Sequence, residues 1–320
     1  MLKTKMFTRL ISLSLGLVIL LLPQDGRAAT SGNYTYWIEN GRATLAFYED
    51  QSVSGNLIIP DKLGGFPVSE IAGAFNGCAS LNSVTLPVGV SVIGAQAFSG
   101  CTSLTNVVIP ASVTTIGVDA FNGSGLVQVT IPDSVTSIGD QAFLLCTALT
   151  NVVMGGGVES IGTWAFGCCS SLVDVRLPAS LQVVGDCAFS DCTGLSTVFF
   201  AGAPPSFSDA TSVFTASSAT LFYAREDAGW STLSFADHVL SWWHASISSN
   251  PELGLSGGRF GFTIVGGTNM PLVVEACTNL ADNGWSTLAS AKTDSTGSYV
   301  FLDPASTNKP TCFYRVTGPQ

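Results

Sequence analysis

The chain is 320 residues long and carries a formal charge of −10 from 12 basic and 22 acidic side chains. Charged residues make up 11% of it and hydrophobic ones 46%, against roughly 25% charged in an ordinary globular protein, which excludes disorder for the bulk of the chain. So few cations form no basic stripe for a phosphate backbone, which excludes nucleic acid as a partner, and nine cysteines without a CxxC spacing suggest neither a zinc ribbon nor a thioredoxin-type pair.

Residues 1–28 carry Lys3, Lys5 and Arg9, then an apolar or small-residue run from Leu10 to Leu22, then Pro23 and the small-residue site Gly26-Arg27-Ala28. This is the pattern of a secretory signal peptide. The run is short of the roughly 20 residues that cross a bilayer core, which makes a retained anchor the weaker alternative. No later stretch is long enough to span. An acidic protein, secreted or held at the cell surface, is expected.

The middle of the chain repeats. Ala-Phe dipeptides end at Phe75, Phe98, Phe121, Phe143, Phe166 and Phe189, at intervals of 23, 23, 22, 23 and 23. Leu81, Leu104, Leu126, Leu149, Leu172 and Leu195 keep the same register, as do Val84, Val107, Val129, Val152, Val175 and Val198. Within each unit the Val column alternates with flanking residues, which predicts a short strand with one face inward; Pro110 and its equivalents close it, having no N–H for a further rung. After each Ile-Gly, the spacing of Ile116, Ala120 and Phe121 predicts about one helical turn. One unit cannot bury its own Leu, Val, Ile and Phe, so stacked units must share a continuous core. The fold class is mainly β with short helical turns, built as a solenoid.

The columns I-G-x-x-A-F-x-x-C-x-x-L-x-x-V-x-[IL]-P, as in Ile93 to Pro110, resemble the BspA-like leucine-rich repeat of surface proteins. Residues 29–74, with Tyr36-Trp37-Ile38 and Gly65-Phe66-Pro67-Val68, are similar to its N-terminal cap and half repeat, residues 75–200 to the repeats, and residues 201–248, with Leu221-Phe222-Tyr223, Gly229-Trp230 and Trp242-Trp243, to its closing cap. The resemblance implies adhesion or binding at the cell surface, with no catalytic residues to carry over.

A polar stretch at Ser248-Ser249-Asn250-Pro251 marks a linker. Residues 249–320 then show strand patterns at Phe260 to Ile264, Leu272 to Ala276, Trp285 to Leu288, Tyr299 to Leu302 and Phe313 to Val316, parted by turn formers. They predict a small antiparallel β-sandwich. Its phrases Val274-Glu275-Ala276 and Phe313-Tyr314-Arg315-Val316 resemble a C-terminal module of exported bacterial proteins.

No nucleophile-and-base constellation, zincin motif, Walker loop or dinucleotide fingerprint occurs, so neither catalysis nor a cofactor or metal is expected. Cys78, Cys101, Cys146, Cys169 and Cys192 form one column, with Ser124 in the shortened unit, and are expected as buried free thiols. Cys277 and Cys312 are a possible disulfide, and Cys168 with Cys187 a less favoured one. His238 and His244, six residues apart in the cap, are expected in a surface or packing role. Asp119, Asp140 and Asp186 are expected at the N-termini of the helical turns. The binding candidates point outward from the strands: Ser83, Asn106, Gln128, Asn151, Asp174 and Thr197 in one column, and Thr85, Val108, Thr130, Val153, Arg176 and Phe199 in the other. Such a regular face suits an extended protein or glycan ligand; a merely solvated sheet is the equal alternative, and Asp174 can pair with Arg176. The competing reading of the whole chain is a structural envelope or assembly component with no dedicated ligand.

Overall fold

The computed structural model describes residues 27–223, 229–235, 238, 240–242, 246–247, 254–256, 259–278, 284–303 and 313–318. The leader expected over residues 1–28 therefore lies outside the described residues up to residue 26. Arg27 and Ala28 belong to the strand Arg27–Ser31, which pairs antiparallel with Tyr34–Glu39. Tyr34–Glu39 pairs antiparallel with Arg42–Tyr48, which in turn runs parallel to Phe66–Ile71. This hairpin closes the N-terminal end of a stack of coils and brings Tyr48 onto the first repeat ring, Phe75, at 5.3 Å.

Each coil contributes two strands, one more than the periodicity alone revealed. The expected strand recurs as Leu81–Thr85, Asn106–Val108, Gln128–Ile131, Asn151–Met154, Asp174–Leu177 and Thr197–Phe200. A second, two-residue strand lies on the other side at Val92–Ile93, Thr115–Ile116, Ser137–Ile138, Ser160–Ile161 and Val183–Val184. Every paired step among these strands is parallel and in register one coil apart. The outward sheet is interrupted once, between Asn106–Val108 and Gln128–Ile131. The break falls at the 22-residue coil, where one residue is missing from the corner before Leu126. Gly125 occupies that tightened corner because a Cβ there would sit 2.2 Å from the Thr102 carbonyl oxygen.

The helical turn expected after Ile-Gly is not formed. Gln96, Asp119, Gln141, Trp164 and Cys187 all stand at φ 55–59°, in the left-handed region. Their N–H groups reach to the next coil instead of back along a helix: Gln96 donates to the Val118 carbonyl (2.9 Å), Asp119 to Asp140 (3.0 Å) and Gln141 to Thr163 (2.8 Å). Phe98, Phe121, Phe143 and Phe166 do the same to Ala120, Ala142, Ala165 and Ala188 at 2.7–2.8 Å. The alternate amides, Ala97, Ser99 and Cys101 in the first of these coils, bond locally to the carbonyls of Gly94, Gln96 and Phe98 three residues back at 3.3–3.4 Å, so the segment closes as successive tight turns and builds no i−4 ladder. Asp119, Asp140 and Asp186 therefore do not cap helices. Asp119 accepts from the Asn122 amide at 2.8 Å, and Asp140 from the Thr163 backbone N–H of the next coil at 2.8 Å.

The core is one pile. Phe75, Phe98, Phe121, Phe143, Phe166, Phe189 and Phe214 stack with centroids 5.0–5.6 Å apart and planes within 17°. The Leu, Val and Ile columns join the same buried cluster. The five column cysteines are buried free thiols. Cys101, Cys146, Cys169 and Cys192 each donate to the carbonyl of the preceding coil's Phe at 3.1–3.2 Å, and Ser124 lies 3.3 Å from the Cys146 sulfur. Cys168 and Cys187 are also free.

Aromatic side chains close the far end. Trp230, buried, stacks on Tyr223 at 5.2 Å and meets Phe200 at 4.8 Å, with Phe207, Phe214 and Phe235 beside it. His238 packs there as expected, hydrogen-bonded through Nε2 to Ser217 (2.9 Å) and through Nδ1 to the Phe235 carbonyl (3.0 Å). His244 and Trp243 lie outside the described residues. Beyond Trp242 the chain leaves the solenoid: Ser246–Ile247, expected in the cap, already pairs with Val265 and Ile264 of the C-terminal sheets.

Those sheets are antiparallel and small. One joins Ser246–Ile247, Gly254–Ser256, Arg259–Val265 and Ser298–Leu302; the other joins Ser286–Lys292, Pro271–Cys277 and Phe313–Thr317. Phe262, Ile264, Leu272, Val274 and Phe301 form their common core. Glu275, buried in the middle strand, is held by Arg315 Nε at 2.7 Å, whose guanidinium lies 4.4 Å over Trp285. Cys277 is buried opposite Phe313; its expected partner Cys312 lies outside the described residues.

Candidate functional site

The strand pattern predicts which side chains leave the core, and the register lines them into two columns across the coils. Ser83 faces Asn106 and Thr85 faces Val108; Gln128 faces Asn151, and Thr130 faces Val153; Asn151 faces Asp174, which faces Thr197; Arg176 faces Phe199. Asn106, Gln128, Asn151, Asp174 and Thr130 are exposed, and Val108 and Val153 keep 70% and 50% of their surface in solvent. The face is thus open and nearly uncharged over most of its length.

It is not open at its far end. Thr197 and Phe199, expected as outward binding residues, are each only 2% exposed. They do point away from the solenoid core, but the C-terminal sheets lie on them. Phe199 forms a buried cluster with Phe222 and Met270, and Gly318 comes so close to its ring that a Cβ there would fall 2.7 Å from the ring edge. Lys292 donates its ammonium to Thr197 Oγ1 at 2.6 Å and Ser196 Oγ at 3.2 Å. A side chain excluded from one core is free to join another, and that is why these two positions depart from the expectation.

Where the two bodies meet they leave a cleft of about 520 Å³, walled by the outward strands from Asn151 to Phe199 on one side and by Pro271–Cys277 and Ser286–Lys292 on the other. That size suits a small molecule or a short stretch of chain. Arg176, half-buried on the solenoid wall, holds its guanidinium 4.9 Å over the Phe199 ring. Burial draws its pKa below the usual guanidinium value, but the group stays charged. Asn151 and Asp174 lie on the same wall; Thr287, Ser290 and Lys292 line the opposite one. The cleft therefore gathers Asn151, Val153, Asp174, Arg176, Thr197 and Phe199 from the sequence candidates and leaves Asn106, Val108, Gln128 and Thr130 on the open face. Lys292, Thr287 and Ser290 escaped the sequence reading, because nothing periodic links them to the repeats.

No curated protein matches the chain. Among solved structures, a leucine-rich repeat protein from Bacteroides ovatus is 18% identical over 69% of this chain and 67% of its own, with a TM-score of 0.45. A leucine rich cell surface protein from Faecalibacterium prausnitzii is 29% identical over 54% of each chain, TM-score 0.41. The pneumococcal vaccine antigen PcpA is 21% identical over 55% of this chain and 50% of its own, TM-score 0.47. This chain therefore spans only about half of the latter two. Across residues 71–196, the coils that carry most of the outward face match the BspA type leucine rich repeat region in six copies.

Proposed function

We propose that this is an exported, non-catalytic repeat protein that binds a protein or glycan at the bacterial cell surface. The observation that carries the reading is the outward face: side chains in register from coil to coil, exposed from Thr85 and Asn106 through Val153, and leading into a walled cleft. A sheet that served only as a solvated wall needs no such cleft. The match of the repeats to the BspA type region supports the binding role, and the leader pattern of residues 1–28 supports export.

Charge on the open face tests it. Gln128→Arg and Asn106→Glu, at exposed positions, leave the core untouched and should cut capture of the surface ligand from envelope extracts at least tenfold, read by immobilised-protein pull-down and surface plasmon resonance. Capture unchanged in both variants overturns the reading, and loss of self-association with capture intact favours an assembly role.

A further inference from the structure

We propose that two copies of the chain pair edge to edge through the strand Ser298–Leu302, antiparallel about a two-fold axis at Phe301. The pairing goes beyond the ligand-binding role above and does not depend on it.

Ser298–Leu302 has one neighbour among the described strands, Arg259–Val265. The register shows which of its backbone groups that neighbour uses. Asp303 donates its N–H to the Phe260 carbonyl at 2.9 Å, and antiparallel ladders alternate. Phe301 and Tyr299 therefore bond to Phe262 and Ile264, whereas Ser298, Val300 and Leu302 turn their N–H and C=O to the other side. Ser298 uses both on Asp294, accepting from its N–H at 2.9 Å and donating to its carboxylate at 3.1 Å. Val300 and Leu302 remain, with two donors and two acceptors that meet no described group. Such an edge is a template for another strand, and the usual guards are missing. Ser286–Lys292 ends on a lysine and Phe313–Thr317 holds Arg315 at its centre, but residues 295–302 contain no charge and no proline. Val300 and Leu302 also keep 57% and 44% of their surface in solvent, on the opposite side of the strand from buried Phe301.

This pattern selects a second copy. With Val300 of one strand opposite Leu302 of the other, every outward N–H meets an outward C=O, which makes four hydrogen bonds and leaves no group over. The same register sets Val300 beside Leu302 twice, as apolar cross-strand pairs that stabilise a sheet. The arrangement is closed, so it stops at two copies. A cationic foreign strand, which a net charge of −10 would attract, would press its charges against a strip that has none to answer them. An anionic strand would be repelled by the chain as a whole. For a second acidic copy, a neutral strip is the place of least repulsion. A five-residue strand is about 17 Å long, and pairing it buries less than the ~1,200 Å² at which stable interfaces begin, so the dimer is reversible, with Kd of about 1–100 μM. Joining two chains would also present two outward faces to one ligand-bearing surface, where avidity adds to affinity.

The test is sedimentation velocity of the full chain over about 1–500 μM, a range that brackets the expected Kd. A monomer–dimer equilibrium is expected, and it should tighten as salt rises, because screening relieves the repulsion between two acidic bodies. Val300→Lys should weaken the dimer at least tenfold. Val300→Pro, which removes an N–H that the strand's own sheet does not use, should do the same, while Val300→Thr keeps the dimer. Thermal unfolding like the parent's separates a lost interface from a lost fold; should the proline variant unfold, Val300→Lys, whose backbone is unchanged, decides. A chain that stays monomeric throughout, a dimer indifferent to Val300→Lys, or a dimer that salt dissociates overturns the proposal.

Discussion

Leu145 stands at φ 59° with half of its side chain exposed, at a corner where Gly77, Gly100 and Gly123 stand in the preceding coils and Cys168 and Asp191 in the following ones. That conformation costs an L-residue roughly 1–2 kcal/mol, and Leu145 recovers little by burial. Leu145→Gly should therefore stabilise the protein by about 0.5–1 kcal/mol even after the added freedom of the unfolded chain is counted, seen as a higher urea midpoint at unchanged slope. A lower midpoint would show that the exposed Leu contributes more packing than its surface suggests. Gly162 predicts the opposite sign for a different reason. Its φ is ordinary, but a Cβ would lie 2.5 Å from the Asp140 backbone nitrogen one coil below, with similar close approaches at Gly139 and Gly185 in the same column. Gly162→Ala should cost about 1–3 kcal/mol, the range for forcing atoms into a packed interior. The Ile-Gly column was visible in the sequence. Its reason was not, because the distance between stacked backbones is a property of two coils. The left-handed corners were hidden altogether, since glycine marks them in early coils and Leu, Cys and Asp in later ones.

At the scale of one coil, the same wall of Phe and Cys that the period revealed has a pH consequence. Burial, with a smaller contribution from Cys78, pushes the Cys101 thiol up to about 12, and burial outweighs the Ser124 hydrogen bonds to bring Cys146 to about 11. Between the ordinary thiol value and these, the unfolded chain has released protons that the folded chain still holds. The native state then binds more protons, so stability is whole below about pH 9 and falls as pH rises, by about 1.4 kcal/mol per pH unit for each such thiol. Cys101→Ser, the exchange that Ser124 already represents in the same column, should make the decline of the urea-derived stability between about pH 9 and 11 shallower by about that slope. An unaltered slope would show that Cys101 is not held protonated. The sequence disclosed this column and its burial because every coil presents it to its own copy. It misled on the corner, where the helical spacing of Ile116, Ala120 and Phe121 was met by turns whose amides alternate between a carbonyl three residues back, as Ala120 to Gly117, and one on the next coil, as Phe121 to Ala142. Spacing along one coil carries no information about which carbonyls its N–H groups will reach.

For the whole molecule, the contact of Phe199, Phe222 and Met270 joins two bodies that each have their own core. Met270→Ser should loosen the C-terminal sheets from the solenoid and leave the solenoid's thermal transition within about 2 °C of the parent, because repeat stability is a sum over neighbouring coils. Small-angle scattering should report a larger radius of gyration, and an unchanged radius would mean that other contacts hold the bodies together. The sequence alone determined the solenoid: residues 22 or 23 positions apart become neighbours, so the columns of Phe, Leu, Val, Ile and Cys are a direct transcript of who touches whom. It likewise determined which strand residues turn away from that core. Only the tertiary structure decided that Thr197 and Phe199 are covered while Val108 and Val153 stay open, and that Lys292 meets Thr197 across 95 residues. That docking joins two surfaces that occur once each in the chain, and a contact made once leaves no period to read.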